Sequence, residues 1–89
     1  MDKVLQQTSE TVPLSSIKPG ESGVIVELQF SADYKLRFVE MGFVPGEHIR
    51  LIRRAPWGGP VEVEIMGIRH GIRLSDAAMI QMTKTTPKP

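Results

Sequence analysis

No cysteine occurs in these 89 residues, so neither disulfides nor thiolate metal sites hold the chain together. That absence suits a reducing compartment. Neither a charged-then-apolar leader nor a membrane-length apolar run is present, and a cytoplasmic location is the expectation. Charge of one sign is scarce as well. Eleven Lys and Arg against ten Asp and Glu leave a net charge of +1, too little for a strong electrostatic footprint on nucleic acid. With two histidines and no readable Ser-His-Asp spacing, no nucleophilic constellation can be assembled, and an enzyme is not expected. Gly58-Gly59 lacks the G-x-G-x-x-G context and no P-loop pattern occurs, so no cofactor is expected either. Aromatic residues are also few, three Phe with one Tyr and one Trp.

What is present is a set of short alternating apolar stretches. Residues 1 to 12 mix polar residues without a sustained period, and residues 83 to 89 are polar and proline-broken, so both read as flexible ends. One domain is left at residues 13 to 82, close to the lower limit for folding without staples. Leu14 and Ile17 anchor its start, and Lys18-Pro19-Gly20 reads as a turn. Val24, Val26 and Leu28 then alternate with Ile25, Glu27 and Gln29, as in a strand half buried on one face. The stretch from Ser31 to Gly42 has no β pattern and predicts a helix, Ser31 serving as N-cap and Gly42 as the left-handed closing residue. On it Tyr34, Phe38 and Met41 share a face, while Leu36 and Val39 fall nearly opposite.

Pro45-Gly46 marks a second turn before a strand from about Glu47 to Ala55. Val61, Val63 and Ile65 then alternate with Glu62 and Glu64, and Ile68, Ile72 and Leu74 with Arg69 and Arg73. This predicts a hairpin whose outer face pairs glutamates with arginines. Ser75 is expected to cap one helical turn before a closing strand at about Met79 to Met82. Five short strands with one inserted helix predict a mainly β fold: a small five-stranded β-barrel, the helix following the first strand.

Between the strands "RRAPWGGPV" sets Trp57 among Pro56, Gly58, Gly59 and Pro60. A loop is an unusual place for the largest apolar side chain. Either Trp57 folds over an open barrel end, burying about 150 to 250 Å², or it stands out as a contact; the covering arrangement is the favoured one. The contact hypothesis takes in Trp57, its neighbours Arg53 and Arg54, and the spare helix face of Leu36 and Val39. His48 and His70, with Glu47, Glu62 or Glu64, form a weak candidate for a divalent metal. No close-set ligand motif organises them, and two ordinary strand histidines are favoured. Arg50, Arg53, Arg54, Arg69 and Arg73 could make a basic stripe for RNA, but interleaved glutamates and missing aromatics favour solvated, salt-bridged strands.

Two motifs in this order resemble the FeoA family of ferrous iron transport proteins, small cytoplasmic proteins with an SH3-like barrel. The helix ending in "EMGFVPG" fits the family's pattern through Arg37, Glu40, Met41, Gly42, Phe43, Pro45 and Gly46. The loop "RRAPWGGP" fits it through Ala55, Pro56, Gly58 and Pro60, departing at Trp57-Gly58-Gly59, where members commonly carry Leu-Gly-Asp. The resemblance covers about residues 13 to 82. It implies an SH3-like five-stranded barrel and an accessory that binds, and helps assemble or regulate, the FeoB membrane permease, whose cytoplasmic part hydrolyses GTP. The membrane would be reached only through that permease, with self-association as an alternative and no nucleic acid expected. A divalent-metal-binding regulator or chaperone is the competing reading, and a small RNA-binding barrel a more distant one. The same barrel ends iron-dependent repressors of the diphtheria toxin repressor type, but no winged helix precedes it here, so a free-standing repressor is not implied.

Overall fold

The computed structural model describes residues 7–85. Of the flexible ends expected at residues 1 to 12 and 83 to 89, residues 1 to 6 and 86 to 89 lie outside the described residues, and residues 7 to 12 and 83 to 85 belong to strands. Strands β1 (Gln7–Pro13), β2 (Ser22–Leu28), β3 (His48–Arg54), β4 (Val61–Ile65), β5 (Ile68–Ile72) and β6 (Ile80–Thr85) alternate with a 3-10 turn at Leu14–Ser16 and two helices, α1 (Ala32–Glu40) and α2 (Leu74–Ala77).

The five-stranded barrel does not form. The six strands make one sheet in the order β1-β6-β2-β3-β4-β5, leaving β1 and β5 as unpaired edges. The additional strand is β1, whose Thr11, Val12 and Pro13 stand opposite Thr83, Met82 and Gln81. Its sequence shows no alternation because it lies on the outside of the sheet and gains its order from β6's backbone. Closure fails at the other edge. After Ile72 the chain turns at Arg73 into α2 and does not run on to pair with β1. Side chains bridge the gap instead: α2 packs on the 3-10 turn, with Ala77 and Leu14 buried and Leu74 packed against the core.

Strands β2 to β6 each supply buried side chains to a single core, including Ile25, Ile49, Leu51, Val63, Ile65, Ile72 and Met82. On β2 the buried face is not that of Val24 and Val26. Ile25 is buried and Val26 is 42% exposed, because a register shift between Ile25 and Glu27 against β6 inserts a residue and brings Leu28 onto the face of Ile25. Two other expectations shift as well. Ser31 stands at the N-cap of α1 without a side-chain cap bond, and α2 begins at Leu74 with Arg73 at its N-cap, so Ser75 lies inside the turn.

Helix α1 closes where its sequence predicts. Gly42 takes φ +101°; its N–H donates to the Val39 carbonyl at 3.0 Å and that of Phe43 to the Phe38 carbonyl at 2.9 Å, the paired bonds of a Schellman motif. The accompanying apolar contact is Phe38 against Phe43, ring centroids 5.2 Å apart. Phe30, Tyr34, Phe38 and Phe43 form one aromatic stack in which Tyr34 meets Phe30 edge-on and Phe38 at a tilt. Tyr34 Oη donates to Asp76 Oδ2 at 2.8 Å. That bond first, and desolvation next, raise the phenol above its usual pKa. Met41, expected on the same inward face, is 39% exposed, as it is already the C-cap residue. The following turn places Gly46 at φ +95°, with its N–H donating to Ile25 O at 2.8 Å, so Pro45-Gly46 ties the helix exit to β2.

Candidate functional site

Strands β3 and β4 are antiparallel, with Arg53 opposite Glu62 and Arg54 opposite Val61, and the segment joining them carries Trp57. The Ala55 N–H donates to Pro60 O at 2.9 Å and that of Gly59 to Pro56 O at 3.2 Å, so the loop is a tight, internally bonded turn. Trp57 and Gly58 occupy its two central positions at φ +56° and +73°, both left-handed. Glycine is at home there; a bulky side chain is an outlier that only the surrounding turn holds in place. A Cβ on Gly59 would lie 2.8 Å from that of Ala55, so the turn also needs a bare backbone at that point.

Trp57 does not cover the core. It is 98% exposed, against the covering arrangement that its size favours, because the left-handed turn directs the indole away from the sheet. Core closure at this end is left to residues of the 3-10 turn and α2, among them Leu14 and Ala77, both buried.

The arginines around the loop have different roles. Arg53 Nε donates to Glu62 Oε1 at 2.9 Å, and Arg69 stands 3.9 Å from the other oxygen of the same carboxylate. Arg54 Nη1 donates to the carbonyls of Ser15 at 2.9 Å and Ile17 at 3.0 Å, pinning the 3-10 turn against β3. Its charge is not neutralised by these carbonyls. Two hollows flank the loop, one of about 480 Å³ on the side of Arg53, Arg69 and His70, the other of about 780 Å³ on the side of Arg73, Leu74 and Ser75. Arg54 and Pro60 line both and form the ridge between them. Arg73 was the member of the expected stripe furthest from the loop in sequence; α2 brings it alongside, while Arg50 lines neither hollow.

Leu36 and Val39 are 54% and 36% exposed on α1 and line neither hollow. The structure therefore leaves the spare helix face and the tryptophan loop as separate features. A further exposed apolar residue that the sequence reading passed over is Met66, 63% exposed at φ +53° beside Gly67 at +78°, in the two-residue turn of the β4–β5 hairpin. The Met-Gly pair between two alternating runs was its signal.

His48 and His70 do not meet. Strand alternation puts His48 on the face of Arg50, whereas His70 stands opposite Val63 on the core face, its ring 5.3 Å from that of Phe43. Its Nε2 is buried without a hydrogen-bond partner. Among the described residues no three His, Asp or Glu side chains gather as metal ligands. Glu62 is occupied by Arg53, and Glu64 stands opposite Arg50 and Arg69 in register.

Comparison with known proteins bears on this arrangement. An iron uptake regulatory protein (FeoA) known from a crystal structure superposes with a TM-score of 0.77 at 29% identity, over 84% of this chain and 99% of that one. A Stenotrophomonas maltophilia FeoA complexed with zinc and described as a prokaryotic SH3 domain protein superposes with a TM-score of 0.66 at 29% identity, over 78% and 86% of the two chains. A Porphyromonas gingivalis (strain ATCC BAA-308 / W83) Fe(2+) transport protein A/Fe(2+) transporter FeoB fusion protein is 36% identical over 69 residues. Those residues are 78% of this chain, which spans only 8% of that curated relative's length. The FeoA domain model itself matches residues 12–84, from the end of β1 into β6 and through both the helix closure and the tryptophan loop, and the chain therefore belongs to the FeoA family.

Proposed function

We propose that the chain is a small non-catalytic accessory of ferrous iron uptake, which binds the cytoplasmic part of a FeoB-type permease and reaches the membrane only through it. The observation that carries this reading is the Porphyromonas gingivalis relative, where the matched region and the FeoB transporter share one chain. Fusion replaces a second-order encounter with a high effective concentration, which is useful where the two parts act in contact. No helix among the described residues is long and apolar enough to cross a membrane, consistent with a module that works beside a membrane protein.

For the contact surface the reading takes Trp57 as anchor with Arg53 and Arg54 beside it, and the Leu36 and Val39 face as a second contact. A fully exposed tryptophan forgoes the stabilisation of burial, and interface hot spots favour this residue among polar neighbours. The test is binding of the purified chain to a permease cytoplasmic domain, with and without a GTP analogue, measured by calorimetry. Trp57→Ala is expected to weaken binding by about 2 kcal/mol, on the order of thirtyfold. Undiminished affinity moves the interface elsewhere, and no binding by the native chain overturns the reading. A second copy as the occupant instead would appear as a dimer that Trp57→Ala dissolves. The metal-binding alternative draws support from the zinc held by the Stenotrophomonas maltophilia FeoA; in this chain His48 and His70 face apart, which does not favour it.

A further inference from the structure

The two hollows beside the tryptophan loop carry an uneven charge. Arg53, Arg54, Arg69 and Arg73 line them against a single acid, Glu62, a local surplus of four minus one, or three positive charges. The whole chain carries +1, so the rest of the molecule nets −2. The asymmetry follows from topology: β3, the start of α2 and the exposed face of β5 each bring arginine to one end. Asp76, the acid on α2, lines an adjoining third hollow that Arg73 shares, together with Arg37 and Phe38, and there it accepts the Tyr34 hydroxyl.

The same hollows have apolar walls. Ala55, Pro56 and Val61 line one, Leu74 and Ala78 the other, with the ridge of Arg54 and Pro60 between them and Trp57 fully exposed beside it. Charge on the rim with apolar floors suits a chain that alternates acidic and apolar side chains, as an extended segment does by sending successive residues to opposite sides. Nucleic acid fits less well. A chain of net charge +1 neutralises few phosphates, and its one tryptophan offers a single stacking platform.

We infer that this end of the molecule is a docking groove for an acidic, extended peptide segment, held by Trp57 and the arginines 53, 54, 69 and 73. Resting on the accessory reading above, the inference assigns that segment to the cytoplasmic part of the permease. Electrostatic complementarity of this kind selects the partner and speeds encounter, leaving the apolar floors and the indole to slow release.

The test uses the intact chain and a short fluorescein-labelled peptide alternating glutamate with leucine, its glutamine–leucine counterpart, and a labelled oligouridylate of similar length, followed by fluorescence polarisation. The acidic peptide is expected to bind at least about tenfold more tightly than the glutamine counterpart and to lose affinity as salt rises. It should also compete with the permease cytoplasmic domain. Arg73→Gln and Trp57→Ala should each weaken the peptide by about fivefold or more. Neither side chain makes a hydrogen bond or ion pair among the described residues, so unchanged circular dichroism is expected of both. Equal binding of the glutamine counterpart, or tighter binding of the oligouridylate, overturns the inference. If the permease domain binds and the acidic peptide neither binds nor competes, the groove assignment fails while the accessory reading stands. If the peptide binds as described and the permease domain does not, the partner is wrong and the chemistry of the groove stands.

Discussion

Phe43 and Trp57 both sit at tight left-handed turns, one after the helix and one between β3 and β4, yet Phe43 is 0% exposed and Trp57 98%. The turns differ in which residue takes the left-handed conformation. At the helix exit Gly42 absorbs it, so Phe43 follows in ordinary backbone and its ring swings onto Phe38. In the loop the tryptophan adopts the positive φ itself, and the indole is carried off the sheet. Similar local geometry thus yields a core residue in one place and a projecting anchor in the other. Apolar character alone does not distinguish them.

Phe43→Ala gives the sharpest break in that comparison. It removes the largest fully buried side chain and its edge-on contacts to Phe38 and His70, so urea unfolding should show a loss of about 3 to 5 kcal/mol. A cost below about 1 kcal/mol would mean the two aromatics are energetically alike. Gly42→Ala comes next. A side chain at φ +101° would be strained and its Cβ would lie 3.0 Å from Met66 Cε, for an expected loss of about 1 to 2 kcal/mol. Trp57→Asn should move the other way, because asparagine tolerates the left-handed region and no buried area is lost. The midpoint should rise by an amount equivalent to about 0.5 to 1 kcal/mol, even as partner binding falls. A destabilised Asn variant would mean that the indole supports the fold after all.

The smallest effect lies away from both turns. The Lys18 N–H donates to Glu21 Oε1 at 2.7 Å and Lys84 Nζ stands 3.1 Å from Oε2. The backbone bond first, then Lys84, hold this carboxyl below its usual pKa of 4.5. A folded-state value depressed in this way contributes stability above the unfolded value, lost as pH falls through the folded one. The stability difference between the native chain and Glu21→Gln should therefore be present at neutral pH and vanish once pH has fallen well below the usual carboxylate range. A difference that persists in acid would rule out titration of Glu21 as its source.

Legibility in the sequence followed how local each feature is. The closure at Gly42 and the turn at Pro45-Gly46 were readable because their backbone geometry demands those residues. The β4–β5 hairpin, with Glu64 opposite Arg69, was readable because alternation is strict on β4, although Ile68, at the start of β5, is exposed rather than on the inward face with Ile72. On β2 the period of two was visible but which residues turn inward was not, since the bulge after Ile25 depends on β6, far along the chain. Strand β1 left no pattern at all, being an edge strand ordered by its neighbour. For the candidate site, Arg53, Arg54 and Trp57 were visible as a cluster in sequence; the addition of Arg73 and the separation of Leu36 and Val39 from the loop were not, because both depend on where α2 and α1 dock.

The order of residues was enough to establish a cysteine-free, mainly β domain with one helix, two glycine-closed turns and a tryptophan confined between prolines. Each of these follows from steric or hydropathic rules acting over a few neighbouring residues. Only tertiary structure decided that the sheet stays open with six strands, that His48 and His70 face apart, and that Trp57 points into solvent beside four arginines. These outcomes depend on pairings between distant segments, where backbone hydrogen bonds and packing across the core outweigh local preference.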